Sequence, residues 1–448
     1  MLVHRIPGFL VVALCAAPAL AGTVVVSKGG PISTIQGGVD AAGAGDTVKV
    51  KTGVYQENVT IGVAKTGLRL IADGEVLIDA RPAGGAPNGS GIQVDADDVS
   101  ISGIVVENAQ DGGGHPTASG IRVTGDGFSA QRCIARGCAP AGFEVSVADD
   151  ASFKKCSAVG GTDGFVLENV SGARFKKCSV RAAAGNGMAV TDCSNLVLKG
   201  FRCVGTNSEG FQMRNGTCSG IAIVKSRFEL CRSTAINCGS SPVTDIEITN
   251  CTILTSDSGM SIGPSADARI LGNRIEFLSE DGNGLSLFEF DGARVENNRV
   301  RGAIISPFRF SDGTGLVVRG NQVRDSTVTS DAAFSSDVTG GRFESNRVSG
   351  GVGPGFEIEG DDCDFFDNVV SNSLLDGFFV RDTAAGTLLD GNVVRNSAAE
   401  GLDHRGANSI IRNNAFTKCR LDLTNEGTAT FKNNKFKTGG AAVPHEID

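Results

Sequence analysis

The chain of 448 residues has no tryptophan, one tyrosine (Tyr55) and four scattered histidines (His4, His115, His404 and His445). It also has no Cys-x-x-Cys pair. Without Trp, a platform for stacking sugars has to use Phe, such as Phe288 or Phe379. So few histidines argue against a histidine-built metal centre, and the cysteine spacing argues against a zinc ribbon or a thioredoxin-type pair. A cation surplus is absent too. The formal net charge is -9, which argues against nucleic acid, an anionic membrane or an acidic polysaccharide held by bulk attraction, and leaves room only for a locally basic groove.

Long apolar runs are confined to the N-terminus. There, His4 and Arg5 precede "FLVVALCAAPALA", and Ala19-Leu20-Ala21 stands before Gly22. This pattern predicts an export signal over residues 1–21 and a mature chain outside the cytoplasm, secreted or periplasmic. The run is too short to span a bilayer, so no membrane insertion is expected. Leu14 stands where a lipoprotein signal has a small residue, so Cys15 is not expected to carry lipid. No Pro-rich linker divides the remainder, and residues 22–448 read as one domain.

What the chain has in plenty is glycine, 62 residues, and much of it is periodic. A tetrad of Gly, a large apolar residue, a spacer and another apolar residue recurs as GIRV at Gly120, GFEV at Gly142, GFVL at Gly164, GMAV at Gly187 and GFQM at Gly210. It returns at Gly259, Gly284, Gly355, Gly377 and Gly401, with weaker copies at Ala235, Pro307 and Ala333. A period of about two dozen residues is the signature of a solenoid. Within each tetrad the apolar residues alternate, which is the period of a strand. Two further short strands, separated by Gly/Asp turns, complete a unit, so the fold class is all-β: a single right-handed parallel β-helix. A second column supports the register. Asn298, Asn346, Asn368 and Asn392 each stand nine residues before the next opening position, Asn414 and Asn434 continue the column, and Cys133, Cys156 and Cys178 take the same place earlier. Stacked amides can hydrogen-bond up such a column. Ser33 with Gln36 predicts a capping box and a short helix, about residues 33–42, that plugs the N-terminal end.

The opening "STIQGGVDAAGAGDTVKVKTGVYQENVTI" followed by these coils resembles the pectate-lyase-like right-handed parallel β-helix superfamily. Its nearest look-alikes are repeat proteins related to the periplasmic copper-maturation protein NosD and carbohydrate-active β-helices. The resemblance implies a fold and leaves the activity open, since the superfamily holds lyases, hydrolases, esterases, epimerases and non-catalytic proteins. "GVYQENV" and "IVVENAQDGGGHPTASGIRV" are similar to the first coils of pectin methylesterases, but that family's later Gln, Asp and Arg-Pro-Trp segments have no counterpart. Polygalacturonases use Asp-Asp with several further motifs. Here Asp-Asp occurs at Asp97, Asp149 and Asp361 alone, as turn chemistry. "GLDHRG" resembles the Asp-Pro-His-Asp of mannuronan epimerases without the Pro or the second Asp, and His404 falls at an inward position. Pectate lyases bind calcium through clustered carboxylates, and "EGDDCD" (Glu359 to Asp364) offers hard oxygens, so Ca2+ is a possible cofactor and no other is implied.

Outward positions on the last coils give Glu357, Phe379 and Asp403 in one column and Glu359, Arg381 and Arg405 in another. Glu357 and Asp403 then lie two rungs apart, about 9 to 10 Å, and the two Arg are placed to meet a uronate carboxylate. Earlier coils carry a thinner mix there: Arg122, Glu144, Glu168, Gln212 and Arg214. Among the cysteines, Cys193 and Cys218 lie in successive first turns and are the disulfide candidate. Two functions fit. One is a non-catalytic protein that binds a polysaccharide, acidic or not, or an extracellular surface component. The other is a polysaccharide lyase or uronate epimerase.

Overall fold

In a computed structural model, residues 21–81, 89–110, 118–239, 241–255, 257–278, 282–303, 305–326 and 331–437 are described. The export signal up to residue 20, with Cys15, and His4, His115 and His445 lie outside the described residues. Strands run from Thr23–Val26 to Lys435–Lys437, wound as a parallel β-solenoid of about 17 turns. A typical turn has three strands, as in Asp163–Glu168, Arg174–Lys176 and Ser179–Arg181. Each strand pairs in parallel with its counterpart one turn on. Phe165 lies beside Met188, Phe175 beside Leu198, and Val180 beside Cys203. Among the described residues no helix is long and apolar enough to cross a membrane.

The helix, α1 (Ile35–Ala41), buries Ile35, Gly38 and Val39. Its N-cap is Thr34, not the expected Ser33: the Thr34 hydroxyl accepts from the Gly37 N–H at 3.1 Å. The Glu57 carboxylate, in the bend just after strand Thr47–Gln56, accepts the N–H groups of Ile35 and Gln36 at 2.8 and 2.9 Å. Gln36 is thereby freed from the expected box and bonds Asp40 and the Thr60 backbone instead.

Like residues stack because successive rungs are about 4.8 Å apart. The Phe143–Phe165, Phe334–Phe356 and Phe356–Phe378 ring centres are each 4.8 Å apart, with near-parallel planes. The tetrad glycine answers a different need. A Cβ on Gly377 would lie 2.5 Å from the Gly401 carbonyl oxygen and 2.4 Å from a Val394 methyl. Backbone and third-strand side chains press on this point, so no other residue fits without displacement.

The asparagine column is fully bonded. Asn346 Oδ1 accepts from both the backbone N–H and the side-chain amide of Asn321, each at 3.0 Å. Its own Nδ2 donates to the Val318 carbonyl at 2.9 Å and to Asn368 Oδ1 at 3.0 Å. The same bonds recur from Asn273 through Asn298, Asn368, Asn392 and Asn414 to Asn434. In the earlier coils cysteine does part of this work. Cys178 Sγ donates to the Phe153 carbonyl and Cys251 Sγ to that of Ile223, which are the positions the asparagine amides address in later coils. Phe201 and Ser226 interrupt the series. The residue just before the column is left-handed in every turn, with φ of 56° at Lys155 and Lys177, 53° at Asn250 and 57° at Asn297 and Asn413.

All twelve described cysteines are free and buried. Cys193 and Cys218 stack as expected but form no bridge. Parallel rungs hold their side chains side by side: Cys218 Sγ accepts the Cys193 N–H at 3.4 Å, while Cys193 Sγ turns to the carbonyls of Thr191 and Leu167. Burial pushes the Cys193 thiol up to about 11, which leaves it inert.

Asn346→Ala removes the acceptor for two Asn321 donors and the donor to Val318. The expected loss is about 2–4 kcal/mol, seen as a lower urea midpoint by circular dichroism. An unchanged midpoint would show the ladder to be incidental.

Candidate functional site

Outward side chains of the first strands in the last coils come from Phe356–Ile358, Phe378–Val380 and Glu400–His404. The register sets Glu357 beside Phe379 and Phe379 beside Asp403, as the sequence pattern requires. Glu359, Arg381 and Arg405 follow in the next column, where the backbone N–H groups of Arg381 and Arg405 bond the carbonyls of Ile358 and Val380.

These six residues form one group, but their charges are already matched. Arg381 Nε donates to Glu357 at 2.6 Å and lies 3.0 Å from Glu359. Arg405 holds Asp403 with two nitrogens, at 2.8 and 3.3 Å, and reaches Glu426 at 3.9 Å. Glu357 and Asp403 are only 6% and 7% exposed, so both carboxylates are largely withdrawn from water and answered by guanidinium. Both arginines also flank an aromatic ring. Their guanidinium carbons each lie 5.1 Å from the centre of the half-buried Phe379 ring, within cation–π range. Burial opposes the charge on Arg381 but Glu357 outweighs it, and the hydrogen bond to Asp403 acts alike on Arg405, so both guanidinium groups are held above their ordinary pKa. Burial raises the Glu359 carboxyl.

Two residues of this face went unremarked in the sequence. Asp376 and Glu400 precede the tetrad glycines in successive coils, and the Glu400 N–H donates to Asp376 Oδ1 at 2.9 Å. Burial, then the hydrogen bond to Glu400, pushes the Asp376 carboxyl up to about 7. Strand alternation gave no signal for them, because the residue before the glycine is three positions from the spacer and falls on the opposite side by that period.

Other expectations come apart. Asp403 and His404 are neighbours on one strand and face opposite sides. His404 lies in the core with Nδ1 2.7 Å from Asn425 and Nε2 unpartnered, and burial lowers its pKa. The two therefore do not converge on a substrate. The run Glu359 to Asp364 bends round a turn. Asp361 accepts the Ala385 N–H at 2.8 Å, Asp362 is left-handed at φ 52°, Cys363 points inward, and Asp364 lies on the next strand. Asp97 and Asp361 serve their turns alike. In the earlier coils, Arg122 pairs with Glu144 at 3.1 Å and Arg214 reaches Asp163 at 2.5 Å.

The family model described as a right handed beta helix region matches residues 90–275, 218–364 and 258–416. No curated protein matches. Among solved structures, the chain is similar to the catalytic domain of GH87 alpha-1,3-glucanase in complex with nigerose, at 10% identity over 84% of this chain and 70% of that one, with a TM-score of 0.43. It is similar to pectate lyase Pel9A at 12% identity over 90% and 81%, TM-score 0.32. PfbA, a surface adhesin of Streptococcus pneumoniae, matches at 12% identity over 90% and 87%, TM-score 0.33. These likenesses are too distant to carry chemistry across. The family match is of another order, since its overlapping spans take in most of the sequence, and the chain belongs to the right-handed β-helix family.

Proposed function

We propose that this protein is an exported, non-catalytic β-helix that binds a glycan on the outward face of its last first-strand rungs. The observation that carries this reading is Phe379, a half-buried ring within cation–π reach of two guanidinium groups that carboxylates hold in place. An aromatic ring can meet the apolar face of a sugar, and carboxylate–guanidinium pairs around it can exchange hydrogen bonds with hydroxyls. Because Glu357, Glu359 and Asp403 already answer both arginines, the patch carries no spare cation for a uronate. The glycan at this face is therefore a neutral one.

The second reading, a lyase or epimerase, is supported by Asp376, whose carboxyl keeps its proton to about pH 7 beside Glu400 and Asp403. A carboxyl that keeps its proton near neutral pH is suited to act as a general acid. Arginine as the base is unsuited here, since Arg381 and Arg405 are held firmly protonated.

Retention of the mature chain on immobilised neutral glycans and on polygalacturonate, with calcium or with EDTA, tests both readings. At least one neutral glycan should retain the wild type, with Phe379→Ala weakening retention about tenfold. Unsaturated uronate product would replace the binding reading with the enzymatic one. Calcium-dependent retention would point to a cation site on the chain.

Asp376 makes a separate prediction about stability. Its folded pKa lies above the unfolded value of 3.8, so its contribution is complete below about pH 4 and is lost as pH rises through about 7. Asp376→Asn cannot ionise and should gain Tm over the wild type progressively from pH 5 to pH 8. Parallel Tm curves across that range would show that Asp376 titrates normally.

A further inference from the structure

We propose that the edge of the second strands between residues 152 and 225 is a separate docking surface for a linear polysaccharide carrying one anion per sugar residue. The chain has fourteen lysines, and all six between residues 66 and 417 are Lys154, Lys155, Lys176, Lys177, Lys199 and Lys225. Lys154 pairs in register with Lys176, and Lys176 with Lys199, so three ammonium-bearing side chains climb the solenoid about 4.8 Å apart. Lys155, Lys177 and Lys225 occupy the adjoining turn column, with Gly200 between the last two. All six are exposed. Among the described residues none has a carboxylate partner, whereas Arg202 and Arg227 on the third strands share Glu229.

Two independent features set the stripe apart from an ordinary solvated face. Like charges directly opposite on paired strands repel, and here they are stacked three deep. The turn lysines, moreover, sit at left-handed backbone, φ 56° at Lys155 and Lys177 and 50° at Lys225. From Asn250 onward the same position is filled by Asn, Gly, Ser or Asp, as at Gly272, Asn297, Ser345, Asp367 and Asn413. Apart from the serine these are the residues that adopt this conformation readily. Lysine is thus placed against both its conformational preference and its neighbours' charge.

The stripe also specifies its partner. Lysine is a hydrated point charge on a flexible stem, without the fork that fixes the angle of one anion, and it suits a row of anions along a chain. The neighbouring outward residues include Gln131, Ser152, Ser157, Ser179 and Val197. None is an aromatic on which nucleic-acid bases could stack. With a net charge of -9, the rest of the molecule repels a polyanion and confines it to this stripe. The surface is distinct from the Phe379 group, which lies on first strands of later coils.

The test uses the full mature chain and sodium polygalacturonate. The wild type should bind at low salt, with affinity falling as salt is raised. Lys155→Asn/Lys177→Asn/Lys225→Asn should weaken binding at least about tenfold while Tm stays level or rises, since Asn is at ease in the left-handed turn. Lys154→Ser/Lys176→Ser/Lys199→Ser should weaken it similarly, and Phe379→Ala should leave it unchanged. Absence of wild-type binding, or binding at the wild-type level by either lysine variant, would overturn the proposal. So would displacement of the polysaccharide by a single-stranded oligonucleotide at equal charge concentration, and loss of binding in Phe379→Ala would merge the two surfaces into one.

Discussion

Everything in this molecule answers to the vertical spacing of its rungs. A parallel coil that returns every two dozen residues sets each side chain about 4.8 Å above its counterpart, so a residue type succeeds only if it can stack on itself. Phenylalanine meets this by ring stacking. Glycine meets it by yielding space to the carbonyl of the next rung. Asparagine meets it best, because its amide is at once acceptor from the rung below and donor to the rung above. A buried amide of this kind costs nothing in unsatisfied groups as long as the column is unbroken.

The same spacing is unfavourable for charge, and the surface shows how it is managed. On the first-strand face, arginine and carboxylate alternate within and between rungs, as in Glu357 with Arg381 and Asp403 with Arg405. On the third strands, Arg202 and Arg227 share Glu229. Such pairs add little stability where water reaches them. Their effect is to let long columns of polar residues exist without mutual repulsion. The lysine columns depart from this rule, which is why they draw a functional reading.

How far the sequence foretold this depends on which physical quantity was needed. Strand alternation and the glycine tetrad depend on local spacing alone, and both were legible. So was the asparagine column wherever nine residues separate it from the next tetrad. Asn273 and Asn321 escaped because longer turns follow them, eleven residues before Gly284 and twelve before Ala333. Pairing of the outward columns was also legible, since Glu357, Phe379 and Asp403 stack as the period demands. The chemistry of that face was not. Whether Arg381 is free for a ligand or held by Glu357 is decided by side-chain direction between rungs. The identity of the helix cap turned on Glu57, some twenty residues from the helix it serves. Cys193 and Cys218 do lie on adjacent rungs, and the structure holds both as free thiols.

The turn column ties stability to the two proposed surfaces. Each left-handed residue immediately precedes a ladder residue, so Lys155, Lys177 and Lys225 stand directly before Cys156, Cys178 and Ser226. A thiol or hydroxyl is a poorer bridge than an amide, because neither combines two donors with a carbonyl acceptor. The coils bearing the lysine stripe therefore carry both the strained turns and the weaker ladder. The coils bearing Phe379 carry asparagine throughout, from Asn346 to Asn414. In a solenoid each coil contacts chiefly its neighbours, so stability is set locally rather than shared over the whole chain. The lysine coils have the lower local stability to spend on conformational adjustment, which suits a surface that follows a flexible polymer. The asparagine coils hold a fixed constellation of ring, guanidinium and carboxylate, which suits recognition of a sugar by shape.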